Sequence, residues 1–121
     1  MAIGQFLGIM FLSRDMAHRA HWKTKSFSQH MALGEFYDAI VDKADAIAEA
    51  YQGRYFIIDD VPILGDNGEK DNIADALEAH MDDLEKLRYM CCDKSDTALQ
   101  NLIDSAIETY LSTLYKLRNL K

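Results

Sequence analysis

The chain of 121 residues contains one proline, two cysteines, one tryptophan and six glycines. So few cysteines exclude a disulfide-stapled scaffold, and a chain of this length buries about two-thirds of its unfolded surface without one. The scarcity of proline and glycine, together with 49% hydrophobic residues, excludes a disordered or low-complexity chain. We therefore expect a single globular domain over residues 1–121.

Basic residues and long apolar runs are also scarce. Lys and Arg number 13 against 20 Asp and Glu, so the formal net charge is -7. This excess of negative charge opposes contact with a phosphate backbone, and we do not expect DNA binding. The longest apolar stretch, residues 3–12, is about half of a membrane span and leads directly into Ser13, Arg14 and Asp15. No membrane association is expected.

The two cysteines, Cys91 and Cys92, are neighbours in the sequence. A bridge between adjacent residues is strained, so we expect free thiols and a reducing compartment. The first residues also lack the basic start and the small-residue cleavage site of a signal peptide. These features together predict a cytoplasmic protein.

Four segments repeat apolar residues at steps of three and four, as one face of an α-helix requires. Gly53 is expected to end the second helix, and Asp71 or Asn72 to cap the third. The predicted helices cover residues 3–24, 30–52, 72–92 and 96–119.

The connections between the helices predict the topology. Residues 25–29 and 93–95 are short links, whereas residues 54–71 form a long one. A strand within residues 55–63 would have no partner strand, so this segment is expected to be a loop. Two helical hairpins joined by one long crossover define an all-α, ferritin-like four-helix bundle.

The second predicted helix carries four carboxylates at steps of four, three and four residues. At about 100° per residue, this spacing aligns them in one narrow stripe. Val41 and Ala48 begin the apolar arc beside the stripe, which suits an interface with a helix or a subunit. Taken alone, such acids are more often a solvated face. The four acids of this stripe are Asp38, Asp42, Asp45 and Glu49.

Two histidines flank the first short link and favour a metal site. His21 ends the apolar stripe of the first helix, and His30 begins the second helix toward its apolar side. An unpartnered imidazole is costly to bury, although a core histidine is often simply hydrogen-bonded. Imidazoles combined with the carboxylates of Asp45 and Glu49 form a donor set suited to Fe(II), Mn(II) or Zn(II).

One pattern spans the end of the first predicted helix and most of the second: His21-Trp22, Ser26-Phe27, His30 and, over residues 45–49, Asp-Ala-Ile-Ala-Glu. It resembles the signature of the Dps-type mini-ferritins of the ferritin-like superfamily. The steps from the second histidine to the two acids match the family spacing without a gap. A compact variant, of the kind that some bacteriophages encode, fits this short chain.

The resemblance implies that His21 and His30 are metal ligands from one subunit. It implies that Asp45 and Glu49 come from a two-fold-related subunit, with Trp22 beside the site as a redox-active aromatic residue. The expected activity is that of a ferroxidase, which oxidises Fe(II) with O2 or hydrogen peroxide for iron storage or detoxification. A homodimer is then the minimum assembly and a dodecamer is the family form.

The sequence departs from the family pattern at three places. Gly34 stands where the family has an aspartate, one turn after the second histidine, and Glu35 and Asp38 are the candidate substitutes. The turn between the histidines is three residues shorter than usual. The basic tail and the middle helix of most members are not recognisable, so the family's DNA coating is not expected here.

Two other functions remain open at this point. A metal-free structural or adaptor bundle with a decayed ferroxidase site agrees with Gly34. An all-α, Mg-dependent nucleotide pyrophosphohydrolase agrees with the acid pairs Glu35/Asp38 and Asp42/Asp45, since carboxylates hold Mg(II). The second helix offers only Lys43 to meet a phosphate, which makes this function the weaker of the two.

Overall fold

The structure, a computed structural model, describes residues 1–66 and 72–121, which contain four α-helices and no strand. The four predicted helices are confirmed, and residues 55–63 form a loop. No helix in the described part of the chain is long and apolar enough to cross a membrane. The helices are α1 (Ala2–Lys23), α2 (Phe27–Arg54), α3 (Ile73–Cys91) and α4 (Thr97–Asn119).

Side-chain caps explain where α2 and α3 begin. Ser26 Oγ accepts a hydrogen bond from the Gln29 backbone N–H at 3.3 Å, so α2 starts three residues earlier than the sequence predicts. Asn72 Oδ1 accepts from the Asp75 N–H at 3.2 Å and caps α3, as predicted for this residue. The alternative cap, Asp71, lies outside the described residues.

The prediction that Gly53 ends α2 is wrong. The helix continues through Arg54, and Tyr55 is its C-cap. A glycine costs only about 1 kcal/mol in a helix, and packing at this end outweighs that cost. Tyr51 is buried, and its ring contacts the Tyr55 ring at 4.8 Å between centroids, which extends the ordered end of α2.

Each helix packs against two others. α1 and α4 both pack on α2 and α3, which makes α1–α4 and α2–α3 the diagonals of the bundle. At one end, the Tyr55 hydroxyl donates to Asp96 at 2.5 Å, joining the end of α2 to the start of α4. At the other end, Asn72 shares a pocket with Lys23 and Arg118, the ends of α1 and α4. Neighbouring helices are therefore antiparallel, and the crossover runs the length of the bundle.

The crossover lies directly on the backbone of α1. A Cβ added to Gly4 would collide with the Asp60 carbonyl oxygen, and one added to Gly8 would lie 2.8 Å from the Pro62 carbonyl oxygen. Real Cβ atoms essentially never approach other atoms so closely. Glycine at both positions therefore allows the crossover to pack against α1.

A chain of three polar side chains crosses the apolar core. The Tyr110 hydroxyl donates to Ser13 Oγ at 2.7 Å, and Ser13 Oγ lies 2.7 Å from His80 Nδ1. Tyr110 and Ser13 are fully buried, and burial raises the pKa of Tyr110 and lowers the pKa of His80. The chain links α4, α1 and α3 through the middle of the bundle.

The two cysteines are free thiols at the end of α3. Cys92 is buried, and burial together with its neighbour Cys92 raises the pKa of Cys91 to about 12. Both thiols are therefore held protonated, which leaves them weak nucleophiles and weak metal ligands.

Candidate metal site at the α1–α2 corner

His21 and His30 form a reciprocal pair at the corner between α1 and α2. Their rings are stacked, with centroids 3.6 Å apart and planes 18° from parallel. His21 Nδ1 lies 2.6 Å from the His30 carbonyl oxygen, and His30 Nδ1 lies 2.9 Å from the His21 carbonyl oxygen. Each histidine thus binds the backbone of the other.

These two hydrogen bonds fix the tautomer of both rings. A carbonyl oxygen can only accept, so each Nδ1 must carry the hydrogen. In a neutral imidazole the other nitrogen, Nε2, then has a free lone pair. Neither Nε2 has a hydrogen-bond partner among residues 1–66 and 72–121. Metal-binding histidines are commonly oriented in this way, by a bond from the second nitrogen to a carbonyl.

The sequence produces this pair through the end of α1. The last carbonyls of a helix have no partner within it, and the His21 carbonyl is one of them. His30 Nδ1 supplies that partner. Thr24 is extended and ends the helix, and its hydroxyl donates to Gln29 at 2.9 Å. The resulting turn of three residues is short enough to superimpose the two rings.

Gly34 provides the space that the His21 ring occupies. A Cβ at this position would lie 3.2 Å from His21 Cε1 and 3.5 Å from His21 Nδ1. The first distance is tighter than nine in ten real Cβ contacts. The glycine that looks like a missing ligand in the sequence is therefore also the reason that His21 can lie against α2.

Aromatic rings continue from the histidine pair toward the surface. Tyr37 meets His21 edge to face at 5.3 Å, and His18 stacks on Tyr37 at 4.0 Å with planes only 11° apart. Trp22 contacts His18 at 4.8 Å and is 71% exposed. The predicted aromatic residue, Trp22, is thus separated from His21 by the His18 and Tyr37 rings.

Sequence reasoning missed Tyr37 and gave His18 no part in the leading site. The available signal was helical register. Tyr37 is one turn after Gly34 on the side of α2 that faces α1, and His18 is three residues before His21.

Asp45 and Glu49 do not reach the histidines of their own chain. They follow His30 by 15 and 19 residues on the same helix. At about 1.5 Å per residue, this places them about 22 Å and about 28 Å further along the axis. Within residues 1–66 and 72–121, no group of three His, Cys, Asp or Glu side chains is arranged to hold a metal ion. One chain therefore supplies two adjacent donors.

The two candidate substitutes for the family aspartate also point elsewhere. Glu35 is exposed and forms an ion pair with Lys116 on α4 at 2.9 Å, on the side of α2 away from α1. Asp38 is exposed and lies about 12 Å beyond His30 along the helix axis. The structure does not bring either carboxylate to the histidine pair.

The outer face of α1 and α2 carries charges without partners in the described part of the chain. The Nε atom of Arg14 is buried and has no hydrogen-bond partner. The acidic stripe of α2 is fully exposed, and none of its members forms an ion pair with the described residues. These acids are Asp38, Asp42, Asp45 and Glu49.

Fold and site together define a four-helix bundle with a pair of oriented histidines at the corner of its first hairpin. The chain belongs to a family of unknown function, DUF5856, whose model matches residues 21–117. The matched region begins at His21 and includes every helix after α1. No curated protein and no solved structure matches the chain.

Proposed function

We propose that the protein is a Dps-like ferritin that binds Fe(II) at a site between two subunits and oxidises it with O2 or hydrogen peroxide, for iron storage or detoxification. The observation that carries this proposal is the reciprocal His21–His30 pair. It leaves two Nε2 lone pairs side by side and free of any other described partner. A pair with a purely structural role would need only the two Nδ1 hydrogen bonds.

The topology supports a ferritin-like bundle. Two antiparallel hairpins, joined by one crossover as long as the bundle, place α1 diagonal to α4 and α2 diagonal to α3. Ferritin-like bundles are distinguished from simple up-and-down bundles by one such crossover.

A second subunit is needed to complete the donor set. Two imidazoles with two carboxylates suit Fe(II), and Asp45 and Glu49 are the carboxylates that match the family spacing. If α2 pairs antiparallel with the α2 of a second copy about a two-fold axis, His30 lies opposite residues 45–49 of that copy. The axis then passes near residues 38 and 39, midway between the two positions.

The surface around this axis has the properties of an interface. Near the start of α2, three large apolar side chains are exposed, Trp22 at 71%, Phe27 at 77% and Met31 at 47%. The two-fold pairing covers this apolar end with the acidic end of the partner's α2 and brings Arg14 close to carboxylates that lack a cation. Aromatic residues and methionine are typical of interface cores.

The residues of the site have distinct roles in this proposal. His21 and His30 donate nitrogen lone pairs to the incoming Fe(II), which is the substrate. Asp45 and Glu49 of the partner subunit add negative charge, which stabilises Fe(III) more than Fe(II) and so favours oxidation. The net charge of -7 concentrates cations near the protein.

The first experiment is aerobic addition of Fe(II) to metal-free protein, followed by ferric absorbance. Oxidation faster than in buffer is expected, with saturation at a small fixed number of irons per dimer. His21→Ala and His30→Ala should each abolish it, whereas His80→Gln, on α3, should not. Oxidation at the rate of buffer would refute the proposal.

A complementation experiment tests whether the site is shared between subunits. His30→Ala and Glu49→Gln are each expected to be inactive alone. A mixed dimer of the two variants contains one site with both changes and one intact site, so mixing should restore activity. No restoration, with hybrid dimers demonstrated by mass, would show that the ligands do not come from two chains.

The metal-free adaptor bundle is the second candidate, favoured by Gly34 and by the two-donor site of a single chain. It predicts the buffer rate in the first experiment. The Mg-dependent pyrophosphohydrolase has less support, because Glu35 is paired with Lys116 and the remaining acids lie on an open helix face. It predicts pyrophosphate release from nucleoside triphosphates with Mg(II).

A further inference from the structure

We propose that Tyr37 is a catalytic residue of the iron site and supplies one of the two electrons that hydrogen peroxide takes up there. This inference rests on the proposed ferroxidase function. It assigns to Tyr37 the redox role that the family resemblance gives to Trp22.

The contacts of Tyr37 support this assignment. It is half-buried between α1 and α2, and its ring meets the ring of His21, a proposed ligand, at 5.3 Å and an interplanar angle of 80°. His18 covers its other side at 4.0 Å. Among the described residues, Tyr37 is the only readily oxidised side chain in ring contact with either histidine of the pair. Trp22 contacts His18 alone.

The donor set of the proposed site explains why a protein electron is needed. Two imidazoles and two carboxylates satisfy one iron ion, and Gly34 offers no ligand for a second. A single Fe(II) gives one electron on becoming Fe(III), whereas reduction of hydrogen peroxide to water requires two. The remaining electron must come from a group near the metal, and Tyr37 is one ring contact away from it.

The reaction balances with the tyrosine as the second donor. One Fe(II), one hydrogen peroxide, one Tyr37 phenol and one proton from water give one Fe(III), two water molecules and one neutral tyrosyl radical. The O–O bond breaks, and both of its oxygen atoms leave as water. The phenol proton passes to solvent, because the Tyr37 hydroxyl forms no hydrogen bond with a described residue. Without the tyrosine, one Fe(II) and one peroxide give Fe(III), hydroxide and a free hydroxyl radical.

Rapid freezing after addition of hydrogen peroxide to Fe(II)-loaded protein, followed by electron paramagnetic resonance, tests the assignment. The wild type should show a tyrosyl radical that is lost in Tyr37→Phe and retained in Trp22→Phe. Tyr115→Phe is a matched control, since Tyr115 is exposed on α4. In Tyr37→Phe, iron should still be oxidised, and a spin trap should detect several-fold more hydroxyl radical. A radical on Trp22, or a signal unchanged by Tyr37→Phe, would overturn the proposal.

An iron-free arm separates the failure of this proposal from failure of the iron site. Photo-oxidation of metal-free protein by a one-electron oxidant in solution should first oxidise the exposed Trp22. The oxidising equivalent should then pass through His18 to Tyr37 and give a tyrosyl absorption band that Tyr37→Phe lacks. A radical that stays on Trp22 would overturn the proposal even if iron oxidation proceeds. A tyrosyl band without iron oxidation would instead refute the proposed function, and the role of Tyr37 in it.

Discussion

The ring of His21 lies over the bare backbone of Gly34, and a single methyl group there would come within 3.2 Å of its Cε1 atom. A residue of α2 thus determines how far a ligand candidate of α1 can approach. This relationship gives Gly34 a positive role in the site.

Gly34→Ala should lower the affinity for Fe(II) about tenfold, since displacement of an oriented ligand typically costs this much or more. The added Cβ pushes the His21 ring away by a few tenths of an ångström and weakens its bond to the His30 carbonyl. Thermal stability should change little, because the helix gains about 1 kcal/mol from alanine and loses a similar amount to crowding. Anaerobic calorimetric titration measures the affinity.

Gly53→Ala is the matched control for this change. No atom lies within 4 Å of the added Cβ at that position, near the exposed end of α2. The variant should unfold at a slightly higher temperature and bind Fe(II) as the wild type does. An unchanged Fe(II) affinity in Gly34→Ala would contradict the role we assign to the glycine.

Much of the candidate site follows from local sequence, and the rest depends on tertiary packing. His21 and His30 are predictable, because each falls at a helix end beside a short link. Their reciprocal bonds to the backbone are not, since they depend on the conformation of the three-residue turn. Helical spacing finds Tyr37 only once the face of α2 that meets α1 is known.

Gly8→Ala should destabilise the protein by loosening the crossover. Its Cβ would lie 2.8 Å from the Pro62 carbonyl oxygen and 3.3 Å from Pro62 Cγ. Overpacking of this kind costs about 1–3 kcal/mol, and alanine returns about 1 kcal/mol through helix propensity. We expect a net loss of about 1–2 kcal/mol in the free energy of unfolding, measured with urea. A variant as stable as Gly53→Ala would show that the crossover is not packed against α1 in solution.

Stability should fall on acidification because of His80. Burial lowers its pKa below 6.5, while the unfolded chain keeps the ordinary value. Below about pH 6.5 the unfolded chain binds a proton that the folded chain does not, so the free energy of unfolding decreases until the folded pKa is reached. The facing carboxylates of Asp66 and Asp83 act in the opposite direction and reduce the effect.

Urea unfolding at pH 7 and pH 5 measures this dependence. The wild type should lose more stability between the two pH values than His80→Gln, whose amide oxygen can still accept a bond from Ser13. Other titrating groups are common to both proteins and cancel in the difference. Equal losses in the two proteins would mean that His80 titrates as an exposed histidine.

The fold was largely predictable because its main signals are local. Apolar spacing predicts all four helices, and the lengths of the links predict two hairpins and a crossover. The buried polar residues were not predictable. Ser13 lies on the core side of α1 only because Tyr110 and His80 meet it from two other helices. Arg88 likewise looks like part of a polar helix face until its partner on α4 is known.

Arg88 and Gln100 should be strongly coupled in stability. Arg88 is 7% exposed, and its Nε and Nη2 donate to the Gln100 side-chain and backbone oxygens at 2.9 and 3.0 Å. Gln100 Nε2 in turn donates to the Cys92 carbonyl at 3.0 Å, at the end of α3. Gln100→Leu leaves a buried charged donor without its partner and should cost about 2–3 kcal/mol. Arg88→Leu should cost a similar amount, because the Gln100 oxygen is then unpaired.

A double-mutant cycle in urea measures this coupling. Since each single change strands the same buried bond, the double variant should cost clearly less than the two single variants combined. The exposed pair of Lys116 and Glu35 is the control, and its coupling should stay below about 1 kcal/mol because solvent screens it. Additive effects at Arg88 and Gln100 would show that the two side chains reach water independently. Coupling well above that of the control would identify this buried pair as the bond that holds the α3–α4 turn in place.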